Sequence, residues 1–216
     1  MLYHQKNSLL SDVKVSYLRQ YMQGENFLDL GAGKKLYSEW IVQQKPQAEV
    51  MAVDYADFAP ESSIPFRCLN LEDELPFHDN AFSSVLAFDI IEHIVNEHQL
   101  VTEIFRILKT QGVLIGSVPH GDTDILKAYN LTFHNRDDVT HKRYYTPDSV
   151  TKLFEDHGFR ILCVDLRGAV SPHVFAEFFT PSLRFLVKKG ISLLYRCKII
   201  NVNRFKTDVF FVAQKQ

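Results

Sequence analysis

Phe27-Leu28-Asp29-Leu30-Gly31-Ala32-Gly33, followed roughly twenty residues on by Met51-Ala52-Val53-Asp54, decides the fold of this 216-residue chain. Each half is a short apolar run of strand character that ends at or near an acid. In a doubly wound α/β sheet, ligands sit at the carboxyl ends of the strands, and a glycine-rich first turn lets them approach the backbone. An acid closing the second strand suits the two hydroxyls of a ribose. An adenosine-type ligand laid across the first two strands is therefore expected. The dinucleotide pattern requires a third glycine three residues after the second, and Leu36 stands there. No Gly-Lys-Ser/Thr follows either. With no phosphate cradle, an adenosine ligand lacking pyrophosphate is favoured.

The order of segments downstream carries a resemblance. Asp29-Leu30-Gly31-Ala32-Gly33 resembles the first motif of class I S-adenosylmethionine-dependent methyltransferases. Asn70-Leu71-Glu72-Asp73-Glu74-Leu75-Pro76-Phe77-His78-Asp79-Asn80-Ala81-Phe82 is similar to their third motif. Ser84-Val85-Leu86-Ala87-Phe88-Asp89-Ile90-Ile91-Glu92-His93-Ile94 is similar to the strand-four motif of the small-molecule branch. Glu103 to Lys109, then Gln111-Gly112 and Val113 to Pro119, resemble the helix, turn and fifth strand that follow. The likeness covers roughly residues 25 to 165.

The resemblance implies S-adenosyl-L-methionine as cofactor and a site of Asp29, Gly31, Ala32, Gly33, Asp54, Tyr55, Asn70, Leu71, Phe88, Asp89 and His93. In it Asp29, Gly31 and Gly33 line the methionine half, Asp54 holds the ribose, Asn70 meets the adenine amine and Leu71 lies against the ring. Where the family often has a further glycine, this chain has Lys35. The implied fold is a Rossmann-like, seven-stranded, mostly parallel α/β sheet, with helices on both faces and the last strand antiparallel between the fifth and sixth.

Strands are expected near 26–30, 49–54, 84–88 and 112–118, with helices near 34–44, 91–95 and 97–109. Thr146-Pro147-Asp148-Ser149 caps a helix that stops at His157-Gly158; Phe159 to Leu166 reads as the sixth strand and Asp208 to Ala213 as the seventh. These place one domain over 1–216: an N-terminal helix (1–24), a cofactor core (25–119), a substrate loop (120–145) and a helical lid insertion before the last strand (171–204). Leu9, Leu10, Val13, Tyr17, Leu18 and Tyr21 recur at helical spacing. That lead helix either closes over the cofactor or packs on the sheet.

Residues 120–145 follow strand five, the face where a methyl acceptor must sit, and hold His120, His134, Arg136, His141, Lys142, Arg143, Tyr144 and Tyr145. Transfer to an oxygen needs a nearby base of suitable pKa, a need histidine meets best. His120 and His141 are the candidate catalytic residues. The run from Leu183 through Lys206 contains no acid; Arg184, Lys188, Lys189, Arg196, Lys198, Arg204 and Lys206 alternate with Leu183, Leu186, Val187, Ile191, Leu194 and Ile199. Such a helix is a lid with its apolar side in the core, a peripheral membrane or lipid-linked-substrate contact, or a dimer surface. Val174-Phe175-Ala176-Glu177-Phe178-Phe179 adds apolar surface ahead of it.

Twenty-four Lys and Arg against 26 Asp and Glu argue against a nucleic-acid partner, as does Ser117-Val118-Pro119-His120 where amino-methyltransferases of nucleic acids carry Asn/Asp-Pro-Pro-aromatic. Cys68, Cys163 and Cys197 show no metal spacing, so no metal is expected, and the odd count fits a reducing cytoplasm. No segment has the ~18 apolar residues of a membrane span. The activity expected is O-methylation of a small molecule or of a glycan or lipid-linked intermediate. The alternatives are a catalytically inactive binding protein of the same fold and a nicotinamide oxidoreductase. The oligomeric state is not legible.

Overall fold

A computed structural model describes residues 10–121, 138–168, 176, 179–197 and 206–216. His134, Arg136, Val174, Phe175, Glu177, Phe178, Lys198, Ile199 and Arg204 lie outside the described residues.

The strands are β1 (Asn26–Leu30), β2 (Glu49–Asp54), β3 (Phe66–Cys68), β4 (Phe82–Phe88), β5 (Leu108–Pro119), β6 (Phe159–Arg167) and β7 (Asp208–Lys215). They form one sheet in the order β3-β2-β1-β4-β5-β7-β6. From β3 to β5 every pairing is parallel, and β7 runs antiparallel to both β5 and β6. The expected topology is therefore present, and the strand order reverses between β1 and β4, where α/β sheets open a crevice at their carboxyl ends. All seven residues of β4 are buried, as a central parallel strand covered on both faces requires.

The helices are α1 (Asp12–Tyr21), α2 (Leu36–Gln44), α3 (Glu97–Ile107), α4 (Pro147–Glu155) and α5 (Pro181–Arg196), with a single 3₁₀ turn at Ile91–His93. Ser11 caps α1 through Lys14 N. Thr146 and Ser149 form a reciprocal capping box on α4, with Pro147 in its first turn. Tyr17 and Leu18 bury the inner side of α1; the Tyr17 ring lies 4.9 Å from Phe210 of β7, and its hydroxyl donates to Asp165 of β6 at 2.7 Å. The lead helix thus packs on the sheet while Lys14, on its next turn, reaches Asp89 at the carboxyl end of β4.

The elements depart from the sequence reading in several places: β5 starts at Leu108 and not near 112, and the helix expected near 91–95 is only the 3₁₀ turn Ile91–His93. β3 had no expected counterpart. The third helix ends at Ile107 and not at Lys109, because Leu108 already pairs with Phe82 in the sheet.

Candidate cofactor and acceptor site

The turn after β1 is built from left-handed backbone. Gly31 and Gly33 have φ of 68° and 50°, which glycine adopts without steric cost. Lys35, the departure from the expected glycine, takes φ 57° at the N-cap of α2. Only 1% of this residue is exposed: its ammonium donates to the Ala59 carbonyl at 3.0 Å, pairs with Asp57 at 2.8 Å and lies 4.7 Å from the Phe66 ring centre. The lysine therefore supplies the backbone shape of a glycine and ties the turn to the loop between β2 and β3. Cation–π contact and a paired ammonium offset its burial.

Asp54, the last residue of β2, accepts the Gly33 N–H at 2.8 Å on Oδ2 and the Tyr55 N–H at 2.7 Å on Oδ1. Each carboxylate oxygen keeps a further lone pair. A cleft of about 550 Å³ opens at this end of the sheet. Of the expected cofactor residues, Gly31, Asp54, Tyr55, Asn70, Leu71, Asp89 and His93 line it. Leu69, Glu72, Ile90, Ile94 and Thr140 also line it and had not been singled out. Asp29, Ala32, Gly33 and Phe88 are not among its lining residues. Asp29 is buried and its Oδ2 accepts the Ser38 hydroxyl at 2.7 Å, so it fastens β1 to α2. Burial pushes its carboxyl up to about 6. Phe88 is buried among Tyr37, Phe210 and the Lys14 ammonium. A second cleft, of about 540 Å³, lies among Asn26, Glu49 and Phe82 at the amino ends of β1, β2 and β4, away from the ligand end of such sheets.

Asp89 sits just past β4 at φ 54°, an uncommon conformation for a non-glycine residue. Two links hold it: its backbone N–H donates to Ser117 O at 2.8 Å, and its Oδ1 accepts the Ser117 hydroxyl at 2.6 Å. Its Oδ2 faces Lys14 of α1. The lead helix is thereby latched to the rim of the cleft.

The described part of the 120–145 segment docks on the loop after β4. Arg143 donates to the carbonyls of Ile94 and Val95, both at 2.8 Å, and pairs with Glu97. Lys142 N–H donates to Glu92 O at 2.8 Å. These bonds bring His141 beside His93, with ring centres 4.7 Å apart. Glu92 is fully buried, and burial pushes its carboxyl up to about 8. Burial likewise holds His93 below the usual imidazole value. Neither His120 nor His141 lines the cleft. His120 is buried at the carboxyl end of β5, where its N–H donates to Thr207 O at 2.8 Å and its Nδ1 lies 3.2 Å from Lys206 O.

A methyltransferase-domain family matches residues 4–164. The chain belongs to that family. Its cofactor class is S-adenosylmethionine, and the cleft fits it: an acid with spare lone pairs ends β2, and a glycine turn with positive φ faces the same space. A protein of Mycolicibacterium smegmatis named a probable S-adenosylmethionine-dependent methyltransferase is 28% identical over 148 residues, 64% of this chain and 53% of that protein. A mitochondrial arginine-hydroxylase of Danio rerio is 27% identical over 184 residues, 74% of this chain and 57% of that one. The chain spans about half the length of the curated relatives it matches. Among solved structures, a methyltransferase of Archaeoglobus fulgidus superposes with a TM-score of 0.68 at 18% identity, covering 94% of this chain and 93% of the other. At that identity the likeness speaks for the fold alone.

Gly31 yields the first testable consequence. A Cβ there would lie 2.7 Å from Ile90 Cδ1, on the cleft wall. Gly31→Val is expected to abolish S-adenosylhomocysteine binding in calorimetry. It should also lower the melting temperature, because a β-branched residue at positive φ is strained by roughly 1–2 kcal/mol. Retained affinity would reduce these glycines to a structural turn.

Proposed function

We propose that this chain moves the methyl group of S-adenosylmethionine to an oxygen of a small molecule or of a glycan or lipid-linked acceptor, within one domain spanning 1–216. When bound, the cofactor supplies an activated methyl group. Asp54 holds the ribose, Asn70 and Leu71 receive the adenine, and the Gly31 turn lies along the methionine half. The observation that carries the oxygen acceptor is His120. A carbonyl can only accept, so the contact with Lys206 O places the ring proton on Nδ1 and leaves the Nε2 lone pair to take a hydroxyl proton. Placement supplies much of the rate, since donor and acceptor need only be aligned.

The test is a metabolite-extract incubation with cofactor, in which one compound gains a single methyl group on oxygen. A product bearing the methyl on nitrogen or carbon would overturn the oxygen assignment. A product heavier by one oxygen atom would instead support the chemistry named for the Danio rerio relative. Tight S-adenosylhomocysteine binding without turnover would favour a binding protein of this fold, and NADH binding in its place would favour an oxidoreductase.

We also propose a cytoplasmic protein that meets anionic lipid through α5. No helix among the described residues is long and apolar enough to cross a membrane. The supporting feature is exposure: Phe185 and Leu186 of α5 are 63% and 62% exposed, and Leu183, Leu193 and Leu194 are exposed as well. None of the described apolar side chains of this helix is fully buried. Lys188 and Lys189 stand beside this surface in a helix without acids. Sedimentation with acidic vesicles at low salt is expected, falling as salt rises. Lys188→Glu with Lys189→Glu should weaken it, each charge being worth about 1 kcal/mol near the surface. A protein that stays in the supernatant at low salt would rule out the contact.

A further inference from the structure

Among the described residues, one group of metal-ligand side chains converges: Glu92, His93 and His141 each offer a donor atom, all within 4.8 Å of one another. Glu92 and His93 come from the 3₁₀ turn after β4, and His141 from the segment that Arg143 pins against it. We propose that these three residues bind a divalent transition-metal ion at the wall of the cofactor cleft.

The hydrogen-bond directions decide which atoms are free. Thr140 Oγ1 donates its only proton to Asp138 Oδ1. In the 2.9 Å contact with His93 Nδ1 it must therefore accept, so Nδ1 carries the proton and the His93 Nε2 lone pair is free. His141 Nε2 faces Asp138 Oδ2 at 3.7 Å. Its Nδ1 is buried and has no hydrogen-bond partner among the described residues. Both oxygens of Glu92 are in the same condition, on a residue that is 0% exposed.

A buried carboxyl group with neither oxygen partnered, beside a buried imidazole nitrogen without a partner among the described residues, is costly as it stands. A cation coordinated by all three resolves each deficit at once. Asp138 is linked to the His93 imidazole through Thr140, the kind of outer-shell partner that orients metal-ligating histidines, and its other oxygen lies 3.7 Å from His141 Nε2. Two imidazoles and one carboxylate suit zinc, cobalt or ferrous iron better than magnesium or calcium. Three protein ligands leave a position open. His93 also lines the cleft, which places the three ligands at its wall. Contraction of the widest donor separation by about 1.5 Å would bring it to ordinary tetrahedral spacing, for bonds of about 2.0–2.1 Å. The absence of metal spacing among the cysteines concealed this site, because its ligands lie 48 residues apart in histidine and glutamate positions, between His93 and His141.

The proposal stands apart from the methyl-transfer reading, and the experiment keeps them separate. Chelator-treated full chain is titrated with Co²⁺ while its visible d–d absorption is followed, and with Zn²⁺ in calorimetry. One ion per chain with a tetrahedral or five-coordinate cobalt spectrum is expected. Glu92→Gln, which preserves volume, and His141→Ala should each remove that spectrum, and Asp138→Asn should weaken affinity by about 10–100-fold. Circular dichroism and retained S-adenosylhomocysteine binding by Glu92→Gln would show that the fold persists. No cobalt spectrum in the wild type, or an unchanged one in both Glu92→Gln and His141→Ala, would overturn the site. Loss of S-adenosylhomocysteine binding by the wild type would sink the functional reading without touching the metal result.

Discussion

Asp54→Ala is expected to weaken S-adenosylhomocysteine binding by about 2–4 kcal/mol, a loss of roughly 30-fold to nearly 1,000-fold in affinity. The magnitude follows from what the carboxylate can still do after its internal bonds are made. Oδ2 is committed to the Gly33 N–H and Oδ1 to the Tyr55 N–H, leaving one direction on each oxygen for a ribose hydroxyl. Two charge-assisted bonds in a partly enclosed cleft then disappear together. The same substitution strips the Gly33 and Tyr55 amides of their acceptor, so part of the loss arises from a loosened turn. Asp54→Asn separates the contributions: its one carbonyl oxygen keeps an acceptor for a single amide and a single hydroxyl, and an intermediate loss is expected. Calorimetric titration of both variants, with thermal melting as a control on folding, is the measurement. An Asp54→Ala protein that binds as tightly as the wild type would remove the ribose role from this residue.

How much of this was legible before the structure depends on the length of the signal each element carries. Val85 to Phe88 of β4 and Val113 to Ile115 of β5 announce themselves as apolar runs because both faces of a central strand are covered. β3 has three residues, two of them exposed, and leaves no periodicity to find. The end of α3 was misread because Leu108 and Lys109 suit either a helix or a strand. Pairing of Leu108 with Phe82, a contact 26 residues away, settles the matter in favour of the strand. Lys35 shows the reverse case. A lysine at a glycine position reads as a defect in the motif, yet the turn keeps its positive φ and the side chain finds Asp57 and Ala59, partners that no spacing rule connects to it.

The site divides in the same way. Asp54, Gly31 and Asn70 could be read from motifs because they follow strands whose ends define the cleft. Thr140 and Asp138 could not: their position against His93 depends on Arg143 reaching the carbonyls of Ile94 and Val95. The apolar residues of α5 were legible as a stripe, but a helical period says nothing about what that stripe faces. Its exposure is a tertiary fact that no helical period encodes.

His120→Ala is expected to lower turnover by about 10²–10⁴-fold with S-adenosylhomocysteine affinity nearly unchanged, once an acceptor is in hand. The backbone of His120 is fixed on two sides, by its N–H to Thr207 and by the bridge that pairs it with Tyr145. Its ring is oriented by the contact of Nδ1 with Lys206 O at 3.2 Å. Under the proposed role, truncation removes the proton-accepting atom while the cofactor cleft, which His120 does not line, keeps its shape. The expected signature is therefore a fall in kcat with little change in cofactor affinity. His120→Gln tests the chemistry against the packing: it fills much of the same volume but offers no comparable base, and its turnover should fall with that of the alanine variant. If His120→Gln restored activity, the residue would be a positioning group. If both variants turned over at wild-type rates while His141→Ala did not, the proton would leave through His141. Small losses in all three would mean that alignment of donor and acceptor alone carries the reaction.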